Sequence, residues 1–221
     1  MEDLTTRQIW SGAMAVHLAA LTQPATTAVV TSEIQNGVIG PESPLPALAE
    51  AAASQGLVPA IARLVTTARK AGVQVVHATA YQRPDLKGVN TNARLFLGVQ
   101  ASSARLLPGT PAVEVVPEVG VEPVDLVLTR THGLNPMAGT DLDPILRNLG
   151  VTTIVVAGVS VNVAITNLVM DAVNLGYQVV LPRDAVCGLP AAYADALIDN
   201  TLRLLATLTT VDELTALWET A

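Results

Sequence analysis

Five short β-branched runs, spaced by longer Ala- and Leu-rich stretches, constrain this chain most. They are Thr26–Thr31, Val73–His77, Val124–Thr129, Thr152–Ala157 and Gln178–Pro182. Each is almost continuously apolar, as strands of a parallel sheet are when helices cover both faces. Between them, Pro46–Gly72 carries apolar residues at helical spacing and ends Arg-Lys-Ala-Gly, a C-terminal stop. Thr140–Asn148 opens on a Thr cap followed by Asp141 and Asp143. Asn162–Leu175, Ala191–Ala206 and Val211–Glu219 complete the helical set, and a sixth short strand is expected at Ala206–Thr209. This alternation predicts an α/β fold: a three-layer, doubly wound, Rossmann-like parallel sheet of about six strands. One domain is expected over 23–221, preceded by an N-terminal arm at 1–22.

Bulk properties narrow the function classes. Half of the 221 residues are hydrophobic and only 14% are charged, which predicts a large core. Aromatics are 3%, so Ala, Val, Leu and Ile must fill it. The net charge is −7 and the basic residues are scattered, so no nucleic-acid partner is expected. The single cysteine, Cys187, has no internal partner, which fits a reducing cytoplasm. The start of the chain lacks the pattern of a secretory signal. No apolar run reaches the ~18 residues of a membrane span. A cytoplasmic protein with no membrane partner is expected.

In such sheets ligands bind beyond the carboxyl ends of the strands. The segments to inspect are therefore Ser32–Gly37, Ala78–Arg83, Arg130–Asn135, Gly158–Ala164 and Arg183–Gly188. The long stretch Thr79–Val121 has no clear strand and is expected to be a substrate lid or an oligomer contact.

Three of these regions carry a resemblance. Ala28-Val29-Val30-Thr31-Ser32-Glu33-Ile34-Gln35-Asn36 is similar to an apolar strand running into Asp-x-Gln-Asn. Gly139-Thr140-Asp141-Leu142 is similar to a Gly-Thr-Asp-Leu segment before a helix. Val156-Ala157-Gly158-Val159-Ser160-Val161-Asn162-Val163-Ala164 is similar to a nucleophile segment. Their order and spacing, over about residues 25 to 210, resemble the isochorismatase-like (cysteine hydrolase) family. The resemblance implies the isochorismatase-like hydrolase fold, a small-molecule substrate and a homo-oligomer, dimer or tetramer. In that family a strand-end Asp is the general base, a Lys stabilises charge and a Cys attacks the substrate. A thiolate at a helix start is a strong nucleophile.

Residue by residue, the chain departs at all three positions. Glu33 stands at the Asp position, Thr131, eight residues before Gly139, at the Lys position, and Ala164 at the Cys position. Glu33 keeps a carboxylate, and a carboxyl at the tip of a buried strand is suited to general acid or base work. The alternative for Glu33 is a helix cap or an Arg pair. One branch of the family, the isochorismatases of phenazine-type pathways, lacks the Cys and uses the strand-end acid, but it keeps its Lys. Lys70 and Lys87 are poorly placed to substitute, and Cys187 reads as a small apolar residue under a loop.

Other candidates line the same edge. Arg83 and Arg94 could bind an anionic substrate, since guanidinium pairs with carboxylates bidentately; surface pairing is the alternative. His132 could shuttle a proton or be satisfied by backbone groups. Gln35, Asn135 and Asn162 are the retained amides of the cleft. The resemblance implies a cis peptide at Val159–Ser160 that presents backbone groups to substrate. His77 and His132 lack the His-x-His spacing of the nicotinamidase branch, so no metal and no other cofactor is expected. Two functions stay open: a Cys-independent hydrolase with Glu33 as general acid/base, or an inactive relative that binds or scaffolds.

Overall fold

The computed structural model describes residues 18–41, 43–101 and 105–220. The apolar runs become strands β1 (Thr27–Ser32), β2 (Gln74–Ala80), β3 (Leu126–Arg130), β4 (Thr153–Val159), β5 (Gln178–Pro182) and β7 (Thr207–Thr209). A two-residue strand, β6 (Val186–Cys187), was not foreseen. The main order is β3-β2-β1-β4-β5-β7, all parallel, with β6 beside β4. The chain leaves β1 towards β2 and β3, then returns to place β4 on the other side. That reversal opens a crevice at the carboxyl ends of β1 and β4.

Side chains alternate between the sheet's faces, as the pleat requires. Val29, Val75, Val155 and Val180 pack with Leu57, Ile61, Leu64, Leu214 and Trp218 on one side. Ala28, Val30, Val76, Ile154 and Val156 pack with Leu142, Leu146, Leu168 and Ile198 on the other. β3 departs from expectation: as an edge strand it buries one face only, and Val127 stays 47% exposed.

The expected single helix at Pro46–Gly72 is two helices, Pro46–Ser54 and Leu57–Lys70. Gly56 sits between them at φ 67, a left-handed conformation that glycine adopts without a Cβ clash. Pro59 then falls in the first turn of the second helix, where its missing N–H costs nothing. The expected Ala191–Ala206 helix stops at Asn200. Asn162–Leu175 begins as a wide π-type turn, Val161–Ile165, before the regular helix Thr166–Asn174. The expected Thr cap is displaced by one residue: Asp141 is the N-cap, while the Thr140 hydroxyl accepts the Leu142 N–H at 3.1 Å.

Of the expected 1–22 arm, residues 1–17 lie outside the described residues. Its described end, the short helix Leu18–Leu21, packs against the domain's own core. Trp218 Nε1 also donates to the Thr22 carbonyl at 2.9 Å. No described helix is long and apolar enough to cross a membrane.

Below β2 and β3 lies a buried polar network. The turn before β3 places the Asp125 side chain fully inside, where Oδ2 accepts from Arg69 Nη2 at 2.6 Å and the Glu122 N–H at 2.7 Å. His77 is buried between Asp125 (3.3 Å) and the Thr31 hydroxyl (2.9 Å). Burial lowers the His77 pKa, against the opposing pull of Asp125. Burial pushes the Asp125 carboxyl up, but the Arg69 and Glu122 hydrogen bonds and the nearby charges outweigh it and hold the pKa down. Both folded-state values are therefore below the unfolded ones. Their stability is present above the unfolded pKa and is lost as pH falls through the folded one. We expect the thermal midpoint to fall first below about pH 6.5, from His77, and again below about 3.8, from Asp125. His77→Gln should flatten the first step in a melting series; a melting profile unchanged from wild type between pH 7.5 and 5 would contradict this.

Candidate functional site

Strand ends build the site. Beyond β1, Glu33 takes φ 54, unusual for a side-chain-bearing residue, and its N–H donates to the Ala78 carbonyl at 3.0 Å. β1 and β4 approach closely here because Gly158 faces Ser32. Gly158 has φ 114, and a Cβ on it would strike the Ser32 carbonyl oxygen and lie 2.9 Å from the Ser32 nitrogen. Gly158→Ala is expected to cost about 3 kcal/mol or more in urea unfolding; a loss below about 1 kcal/mol would contradict the packing.

A cleft of about 530 Å³ opens above these ends. Glu33, Thr131, His132, Ser160 and Ala164 all line it, as does Arg94 from the long segment after β2. That segment forms an unforeseen helix, Arg94–Ala101, which contributes Leu95, Phe96 and Val99 to the wall. Leu45, Leu48 and Leu106 extend the apolar lining. The segment is therefore part of the cleft, as a lid would be.

The residue missed from sequence is Arg130. It is the last residue of β3, its side chain is 8% exposed, and its Nη2 donates to Glu33 Oε1. Of the readings that the sequence left open for Glu33, the Arg pair is the one present, and that pair faces the cleft. Arg130 Nε is buried without an acceptor, and among the described residues Glu33 is the one side chain that takes a hydrogen bond from this guanidinium. A signal did exist: Arg130 ends an apolar strand at the ligand-binding edge. What the sequence lacked was the strand order that carries it towards Glu33.

Several expected site residues do other work. Gln35 is fully buried and its amide is consumed: Oε1 accepts the Ala80 N–H at 2.8 Å, and Nε2 donates to the Ala80 and Val113 carbonyls. It pins the long segment to the sheet edge. Asn135 accepts the Met137 N–H and donates to Asn167 and to Asp171, tying its loop to the Thr166–Asn174 helix. Asn162 clamps Leu189, accepting its N–H at 2.8 Å and donating to its carbonyl. None of the three lines the cleft. Buried backbone groups need partners, and these amides supply them.

Arg83 is also turned away. It pairs with Asp85, two residues on, and is half exposed. Lys87 extends into solvent. Val159 is buried in the core, and the peptide to Ser160 is cis, with Ser160 facing the cleft. Cys187 is buried in the core, outside the cleft lining, and burial raises its thiol pKa. His77 belongs to the Asp125 network rather than the cleft. Among the described residues, no three His, Cys, Asp or Glu side chains group to hold a metal ion.

The isochorismatase domain family matches residues 27–213, nearly the whole of this sheet and its helices. The chain belongs to the isochorismatase family. YwoC of Bacillus subtilis, an isochorismatase family protein, is 35% identical over 92 residues, spanning 42% of this chain and just under half (46%) of that protein. The ureidoacrylate amidohydrolase RutB of Rhizobium rhizogenes is 26% identical over 208 residues, covering 88% of this chain and 84% of RutB. Among solved structures, a cysteine hydrolase from Pseudomonas syringae pv. phaseolicola superposes with a TM-score of 0.79 at 24% identity, covering 90% of this chain and 95% of that one. That superposition bears out the isochorismatase-like fold.

Proposed function

We propose that this isochorismatase-family protein hydrolyses a small anionic molecule without a cysteine thiolate, using Glu33 as general acid/base. The observation that carries the reading is the Glu33–Arg130 pair in the cleft. On this reading Ala164 stands where the family has its nucleophile. Arg130 supplies, from the position next to Thr131, the positive charge that the family draws from Lys. An amide is the substrate type favoured by the likeness to an amidohydrolase.

The chemistry follows from the two groups. Glu33 takes a proton from water as the water oxygen bonds to the substrate carbonyl carbon. The carbonyl π electrons move to oxygen, and the free N–H groups of Arg130 stabilise that oxyanion. The carbon–nitrogen bond then breaks, and the proton on Glu33 passes to the leaving nitrogen. His132 and Ser160 line the same cleft and are placed to orient substrate.

The test is ammonia or amine release from a panel of small carboxylate-bearing amides at neutral pH. Turnover that requires Glu33 supports the reading. Binding of panel members with no turnover favours the alternative, a family relative that binds small molecules without reacting with them.

A further inference from the structure

The cleft wall and its charges define a ligand class, an inference that rests on the cleft being the working site. Two guanidiniums, Arg94 and Arg130, and one carboxylate, Glu33, line the cleft, and no other acidic or lysine side chain does so among the described residues. Among the described residues the lining therefore carries one positive charge in excess. Arg130 is spoken for by Glu33, whereas no carboxylate pairs with Arg94 among the described residues. Arg94 stands at the exposed start of the Arg94–Ala101 helix, while Arg130 is buried at the foot of the cleft.

The cleft is mostly apolar. Leu45, Leu48, Leu95, Phe96, Val99 and Leu106 line it. Leu95 and Val99 keep 50% and 37% exposure on a helix with no buried residue, an unusual arrangement unless that face serves contact with something apolar. A strongly hydrated polyanion would lose its water against such walls, and the polar groups beside them, Asn90, His132 and Ser160 among them, are few. An apolar body would gain from them.

We propose that the cleft selects monoanions with an apolar body, the anionic group held at Arg94 and a polar acceptor seated on the free N–H groups of Arg130. The unpartnered, buried Nε of Arg130 is an independent sign that this guanidinium has more donors than the protein itself uses.

The test is equilibrium binding of three unreactive probes, octanoate, 1-octanol and acetate, by titration calorimetry on the full chain. Octanoate is expected to bind at least about tenfold more tightly than octanol, which lacks the charge, and than acetate, which lacks the apolar body. Arg94→Gln, at an exposed position, should bring octanoate down to the octanol level with the melting temperature unchanged. Octanol or acetate binding as tightly as octanoate would overturn the proposal, as would undiminished octanoate binding by Arg94→Gln. Because no probe is turned over, the two readings fail separately. Octanoate selectivity without amide turnover leaves the ligand class standing and removes the hydrolysis reading. Glu33-dependent turnover of the carboxylate-bearing amides without octanoate selectivity does the reverse.

Discussion

Glu33→Gln is expected to lower amide turnover by about two to four orders of magnitude, the usual worth of a positioned general acid or base. The substitution keeps the side chain's length and leaves one acceptor oxygen for Arg130, so the cleft geometry is preserved. What it removes is the proton-accepting group. Glu33→Asp retains the charge but withdraws it by one methylene, and should lie between the two. Arg130→Met should lose a comparable amount by removing the oxyanion donors, and it also strands Glu33. Steady-state rates with matched melting curves separate catalysis from folding. If Glu33→Gln retains more than about a third of wild-type kcat, Glu33 is not the acid or base.

The second large effect concerns stability, away from the cleft. Asp125→Ala should destabilise the chain by about 3–5 kcal/mol, because it leaves a buried guanidinium and a buried imidazole without their shared partner. The Arg69 side chain is 9% exposed and that of Asp125 is fully buried. For a chain of this size the loss corresponds to a drop of roughly 10 °C in Tm. Removing both charges, as in Arg69→Met with Asp125→Leu, should recover most of it, since a well-packed apolar pair avoids the desolvation of two ions. Urea unfolding of the two variants checks both statements. An Asp125→Ala loss below about 1 kcal/mol would show that water reaches Arg69 freely.

Most of the scaffold was legible in the residue pattern. The β-branched runs became strands because a short, almost continuous run of apolar side chains, pointing alternately to both faces, is covered on both only in a sheet flanked by helices. The expected helix Val211–Glu219 matches to the residue, and the structure shows a capping box of Thr210 and Glu213 fixing its start. The errors were local as well. Gly56 and Pro59 inside a helical pattern are compatible with one bent helix or two, and the packing of Leu48 and Leu57 into one core chose two. β3 reads as buried, yet its position at the sheet edge leaves Val127 in the open.

The site was less legible, and for a different reason. Gln35, Asn135 and Asn162 sit beside a ligand-binding edge, where amides serve substrates or backbone groups equally well. Which one they serve depends on the loop that lies against them. For Gln35 that loop is 78 residues away, for Asn162 it is 27.

The sequence by itself determined the fold class, the family pattern and the carboxylate that stands at the end of β1. Tertiary structure alone decided what that carboxylate faces. Arg130 is 97 residues from Glu33 and two strands across the sheet. A local pattern sets which residues form a strand and which way they alternate. The order in which strands pair is set by burying all of their faces at once, and it was that order which brought a guanidinium to Glu33.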